Sequence, residues 1–163
     1  MLDEIHHSVP EGLCMAFYKG TRPGLYGIAN RVGRYLDRGP YSHTELIFSD
    51  ARYSASSSIM DGGVRIKFIG YTSVGSWDFL PIPDKDNTIE KKAKDWFEKY
   101  VGAKYDIMGN IRFATNFARD NPNKWFCSEA NLAALGIPES YRYGPSGAAT
   151  FLSWYFNSEM VYI

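Results

Sequence analysis

The stretch Tyr41–Ile69, YSHTELIFSDARYSASSSIMDGGVRIKFI, decides the fold class. Apolar, aromatic and hydroxyl residues run in short blocks here, cut by turn signals. Ser49-Asp50 separates a strand over Tyr41–Phe48 from a second over Arg52–Ser57, and Asp61-Gly62-Gly63 turns into a third over Val64–Ile69. Turns this tight join antiparallel neighbours, because a parallel connection needs a long crossover.

Working outward, residues 13–18 form an apolar run that reads as an earlier strand, and Trp77–Ile82 reads as a later one closed by Pro81 and Pro83. Consecutive strands with short links predict an antiparallel meander. Helices surround this block. In residues 24–37, Leu25, Ile28, Val32, Tyr35 and Leu36 recur at helical spacing, and Gly39-Pro40 ends the run. In residues 88–101, Ile89, Ala93, Trp96, Phe97, Tyr100 and Val101 make one apolar stripe, with Thr88 as the expected cap and Gly102 as the stop. Further helices are expected over Asp106–Ala118, from Cys127 to Gly136, and over 146–157. The order predicts one α+β domain over residues 1–163, an antiparallel sheet or open barrel packed against helices.

Composition narrows the function classes. Eighteen basic residues balance eighteen acidic ones, which gives no general attraction to nucleic acid or to an anionic membrane. Four arginines between Arg22 and Arg38 read as a solvated helix face. Two cysteines, Cys14 and Cys127, are too few for a disulfide framework. Cys14 lies in an apolar strand and is expected to be inert. No run approaches the roughly 18 apolar residues that cross a bilayer, so no stable membrane insertion is expected. The acidic start, Met1–His7, lacks a signal-peptide pattern, which predicts cytoplasmic synthesis; a virion-borne or injected protein needs no such signal.

The chemistry points to Trp125-Phe126-Cys127-Ser128-Glu129-Ala130. A cysteine in the first turn of a helix faces free N–H groups and the positive end of the macrodipole, and both favour the thiolate. The Cys127 N–H would point toward a developing oxyanion. A buried helical cysteine is the bland alternative, and a second site weighs against it. His43 opens a strand, and Glu45 lies two residues on, so both point to one sheet face. A base beside a carboxylate is what a cysteine nucleophile requires. Glu45 either orients His43 or lines the cleft, while Ser54 and Ser56 on the next strand are competing orienters of the imidazole.

The blocks Ser42-His43-x-Glu45-Leu46, Asp61-Gly62-Gly63-Val64-Arg65, Gly102-x-x-Tyr105-Asp106 and Phe126-Cys127-Ser128-Glu129, in this order, resemble the permuted NlpC-type papain-like proteins. The YiiX-like subgroup, with its phage-encoded members, is the most similar. The His strand precedes the Cys helix, which is the permuted order. The resemblance covers about residues 13–136. It implies a circularly permuted papain-like fold and a cysteine hydrolase acting on amide or ester bonds. In that pattern Cys127 matches the nucleophile, His43 the base and Glu45 a polar position near the base. Tyr105 matches a tyrosine able to shape an oxyanion hole. Relatives in the family include peptidoglycan peptidases, lipid-directed amidases and acyltransferases. The expected partner is therefore a peptide or lipid-like substrate, with bacterial cell-wall peptides first; a non-catalytic binding or virion component is the contrasting expectation.

Other signals carry less. His6-His7 lack the further ligands of a metal site, and Asp61-Gly62-Gly63 is a hairpin turn, not a phosphate cradle. Neither metal nor cofactor is expected. Tyr141, Tyr143, Phe151, Trp154, Tyr155 and Phe156 are dense enough to line an acyl or glycan groove, with packing under the sheet as the plainer alternative.

Overall fold

The computed structural model describes residues 9–69, 74–107 and 123–162. Its elements run β1 (Cys14–Tyr18), α1 (Gly24–Asp37), β2 (His43–Ile47), β3 (Tyr53–Ser58), β4 (Gly63–Phe68), β5 (Trp77–Pro81), α2 (Thr88–Tyr100), β6 (Lys104–Tyr105), β7 (Lys124–Trp125), α3 (Cys127–Ala134), α4 (Pro145–Phe156) and β8 (Val161–Tyr162). The class is α+β. The helix expected over Asp106–Ala118 lies almost wholly outside the described residues, as do His6 and His7.

The strands form one open mixed sheet in the order β7-β6-β4-β3-β2-β1-β5-β8. Among the described residues only the β6–β7 pair is parallel. The meander holds from β1 to β4 and then fails, because β5 crosses over to pair with β1. All five residues of β1 are buried, so both of its edges need ladder partners; β2 takes one and β5 the other.

Side chains alternate across the sheet. Met15, Phe17, Leu46, Ala55, Val64 and Leu80 enter the core shared with the helices, where they meet Phe97 of α2, Leu132 of α3 and Leu152 of α4. Each large apolar side chain buried there contributes about 1.5–3 kcal/mol. Cys14, Ala16, Tyr18, Ile47, Trp77 and Phe79 form a second apolar cluster. The register puts His43 opposite Tyr18 and Glu45 opposite Ala16, in step with that second set.

Two local devices seat the chain leading to Cys127. Gly63 has φ +150°, and a Cβ there would lie 1.9 Å from the Ala103 carbonyl oxygen, so only glycine lets β4 approach this closely. Val64 N–H then donates to Ala103 O at 2.8 Å, which lays β6 along β4 and β7 along β6. The second device is aromatic. Trp125 packs edge-on against Trp96 (4.9 Å between centroids) and Tyr100 (5.3 Å) of α2. The cap of α2 is not the expected Thr88, which lies inside the helix; Asp84 accepts the Ile89 and Glu90 N–H groups at 3.1 and 2.7 Å.

Candidate active site

Cys127 stands at the first position of α3, after Phe126 in extended conformation. Phe126 is fully buried, which fixes the entry angle of the chain. Glu129 reaches back to accept the Phe126 N–H at 3.2 Å, the acidic half of a capping box; a phenylalanine has no acceptor to supply the other half. Asn131, one turn further, donates to Thr44 Oγ1 at 2.8 Å and clips α3 to β2 one residue from His43. Ser57 Oγ donates to the Trp125 carbonyl at 2.7 Å and holds the approach from the β3 side.

These ties bring the Cys127 thiol into hydrogen-bond contact with the His43 imidazole, and the sulfur also accepts the backbone N–H groups of Thr44 and Ser128. Burial opposes ionisation of Cys127, yet the bond to His43, its charge and the two N–H groups outweigh it and bring the thiol below its ordinary range. Burial likewise works against a charged His43, and here the Cys127 and Glu45 partners win, raising the imidazole above its ordinary value. Both shifts favour the thiolate–imidazolium pair.

Behind His43, its Nε2 lies 3.3 Å from Glu45 Oε1, which leaves Nδ1 for the thiol. The same Oε1 accepts from Arg65 Nη2 at 2.5 Å, and Glu45 Oε2 accepts from Ser54 Oγ at 2.6 Å. Arg65 Nε donates to Asp61 Oδ2 at 3.0 Å, and Lys67 Nζ reaches that oxygen at 3.0 Å. Cys127, His43, Glu45, Arg65, Asp61 and Lys67 thus form a line of alternating charge from the buried sulfur to the surface. Burial disfavours the Glu45 carboxylate, but His43, Arg65 and Ser54 together hold it far below the usual carboxylate range.

The residues singled out by sequence divide clearly. Cys127, His43 and Glu45 come together. The Cα separation of a same-face pair is spanned by side-chain reach, and Glu45, 3 % exposed and committed to His43, Arg65 and Ser54, does not line an open cleft. Ser54 bonds Glu45 and not the imidazole, while Ser56 donates to the Thr44 carbonyl at 2.7 Å. Both serines are fully buried, which removes them from contact with a substrate and from direct orientation of His43. Tyr105 sits half-buried on β6, paired with Trp125 two residues before Cys127, and its N–H donates to Gly62 O at 3.3 Å. Cys14 is fully buried and unbridged, its thiol pushed up to about 12 by burial.

Sequence reasoning did not single out Arg65 or Asn131. The signal for Arg65 was its place between Val64 and Ile66, where alternation aims it at the face that carries Glu45. Asn131 had none, because its partner lies 87 positions away. Trp77 also enters the surroundings, edge-on to the His43 ring at 6.3 Å between centroids.

The dense aromatics of the C-terminal region split. Tyr143 and Phe151 pack on each other and on the core, while Trp154 is exposed. A groove of about 910 Å³ runs beside Trp154, Tyr41, Asp78 and Tyr162; neither Cys127 nor His43 lines it. Among the described residues no group of three or more His, Cys, Asp or Glu side chains could hold a metal ion. Compared with protein-family models and with curated proteins, the chain matches none.

Proposed function

We propose that this protein is a cysteine hydrolase that cleaves amide or ester bonds on a permuted papain-like scaffold. One observation carries the reading: a cysteine at a helix N-terminus, hydrogen-bonded to a histidine whose other ring nitrogen faces a carboxylate. The scaffold is supported by chain order, with the His43 strand before the Cys127 helix, and by the four sequence blocks in the same order. A cysteine kept only for packing gains nothing from a lowered pKa, as the apolar burial of Cys14 illustrates.

The chemistry follows from the pair. Cys127 thiolate attacks the carbonyl carbon, and the oxygen becomes an oxyanion at the N-terminus of α3. The His43 imidazolium gives its proton to the leaving amine or alcohol as the carbon–heteroatom bond breaks. Water, deprotonated by His43, then attacks the thioester, releasing the acid and restoring the thiol. Glu45 keeps the ring oriented and compensates its positive charge. Cys127 is 1 % exposed and His43 9 %, so solvent reaches the pair chiefly at His43. Extended peptides of the bacterial cell-wall type are the first substrate class to test; lipid esters and amides are the second.

The test is trapping of the acyl-enzyme. Protein incubated with an activated ester and quenched in acid carries a thioester on Cys127, located by mass spectrometry. Cys127→Ala abolishes the adduct and turnover, and His43→Ala lowers turnover by about 10²–10⁴-fold. No adduct in the native protein, or equal labelling of Cys14 and Cys127, refutes the hydrolase and leaves a binding module.

A further inference from the structure

Helix α1 is tied to the rest of the protein by polar side chains. Asn30 donates to Ser42 Oγ at 3.1 Å and accepts from the Arg22 N–H at 3.3 Å. Arg34 donates to Gly20 O at 2.6 Å and to Thr21 Oγ1 at 2.8 Å, and Asp37 accepts the Ser146 N–H. Gly27 is buried, with the Arg22 carbonyl where a Cβ would stand. Three apolar residues of the same helix point away from the protein. Ile28 is 57 % exposed, Val32 50 % and Tyr35 83 %. At 100° per residue these three fall within roughly 60° of arc. A helix normally turns such a stripe to the core, and this one is fastened through its other side.

Charge decides what fits the stripe. Arg31 and Arg38 are exposed along one margin, and the segment 22–38 holds four arginines against the single acid Asp37. An exposed apolar stripe edged by arginines on a chain of zero net charge matches the interface of an anionic bilayer, where apolar side chains enter the acyl boundary and guanidinium groups meet phosphates. Ile59 and Met60, on the turn between β3 and β4, are also about half exposed, and Arg22 Nη1, just before α1, contacts Met60 Sδ. No described helix is long and apolar enough to cross a membrane.

We propose that α1 docks this protein peripherally on anionic membrane surfaces through Ile28, Val32 and Tyr35, with Arg31 and Arg38 reading the headgroup charge. Asn30 ties this helix to Ser42, next to His43, through the side opposite the stripe. The inference is independent of the hydrolase reading and is measured without turnover.

The experiment is co-sedimentation of the full chain with vesicles of phosphatidylcholine alone and of equimolar phosphatidylcholine and phosphatidylglycerol. The native protein pellets with the anionic vesicles only, and added salt weakens it. Arg31→Gln with Arg38→Gln lowers partitioning about 25-fold, each arginine at such a surface being worth about fivefold. Ile28→Ser with Val32→Ser and Tyr35→Ser abolishes pelleting, while circular dichroism and thermal midpoint stay native because these side chains are exposed. Equal pelleting with neutral vesicles, no pelleting with either, or binding that survives both sets of substitutions overturns the proposal. So does native self-association that the triple substitution abolishes, which would make a second copy the occupant.

Discussion

Arg65 and His43 share one carboxylate oxygen of Glu45, and Arg65 holds it more closely, at 2.5 Å against 3.3 Å. The side chains are 10 % and 4 % exposed, so each charge is buried against the other. Removing one partner strands the other. Glu45→Gln or Arg65→Met is expected to cost about 3–5 kcal/mol, the usual penalty for breaking a buried pair. The double substitution costs less than the sum by about 0.5–3 kcal/mol. Urea unfolding of the four proteins measures the cycle, and strict additivity would refute the coupling.

Arg65 also tempers the effect of Glu45 on His43. With the guanidinium gone, the carboxylate acts on the imidazole without a competing cation. Arg65→Met in a Cys127→Ser background should raise the His43 pKa relative to Cys127→Ser alone, and Glu45→Gln should lower it. NMR titration of the ring protons reads both signs.

The pH dependence of thiol reactivity follows from directions already given. Cys127 ionises below the ordinary thiol range and Cys14 near 12. Iodoacetamide should label Cys127 at neutral pH and leave Cys14 untouched until the protein unfolds. His43→Ala moves the Cys127 profile upward, since only burial and the backbone N–H groups remain. Mass spectrometry of the two tryptic peptides across pH decides it.

Stability should fall on both sides of neutrality for separate reasons. Glu45 has a folded pKa depressed below its unfolded value, so its contribution is present above the usual glutamate range and disappears as acid carries the pH down through the folded value. His43 has a raised folded pKa, so its contribution is complete below the ordinary histidine value and is lost as pH rises through the folded one. Thermal midpoints across pH should show Glu45→Gln flattening the acid side and His43→Ala the mildly alkaline side.

Asn131→Ala removes the donor to Thr44 and leaves space between α3 and β2. A loss of about 1–3 kcal/mol is expected from the broken buried bond, together with slower Cys127 alkylation as the helix loosens against His43. Unchanged alkylation would show that the clip serves packing alone.

The sequence by itself determined the local elements and the chemical candidates. Short apolar and hydroxyl-rich runs, most of them cut by turn signals, marked β1 to β5, helical spacing marked α1 and α2, and the readings 24–37 and 13–18 match α1 and β1 to within a residue. His43 and Glu45 shared a face by period two alone. Tertiary structure decided the rest. β6, β7 and β8 have two residues each, too short for any period, and exist because β4, β6 and β5 offer them an edge. The crossing of β5 to β1 came from the need to satisfy both edges of a buried strand. The direction of the α1 stripe was invisible, since spacing shows that apolar residues share a face but not which way it turns. Arg65 entered the site through contacts 20 positions away in the chain, and Asn131 through one at 87. Such pairings depend on strand register and helix placement, which only the packed chain defines.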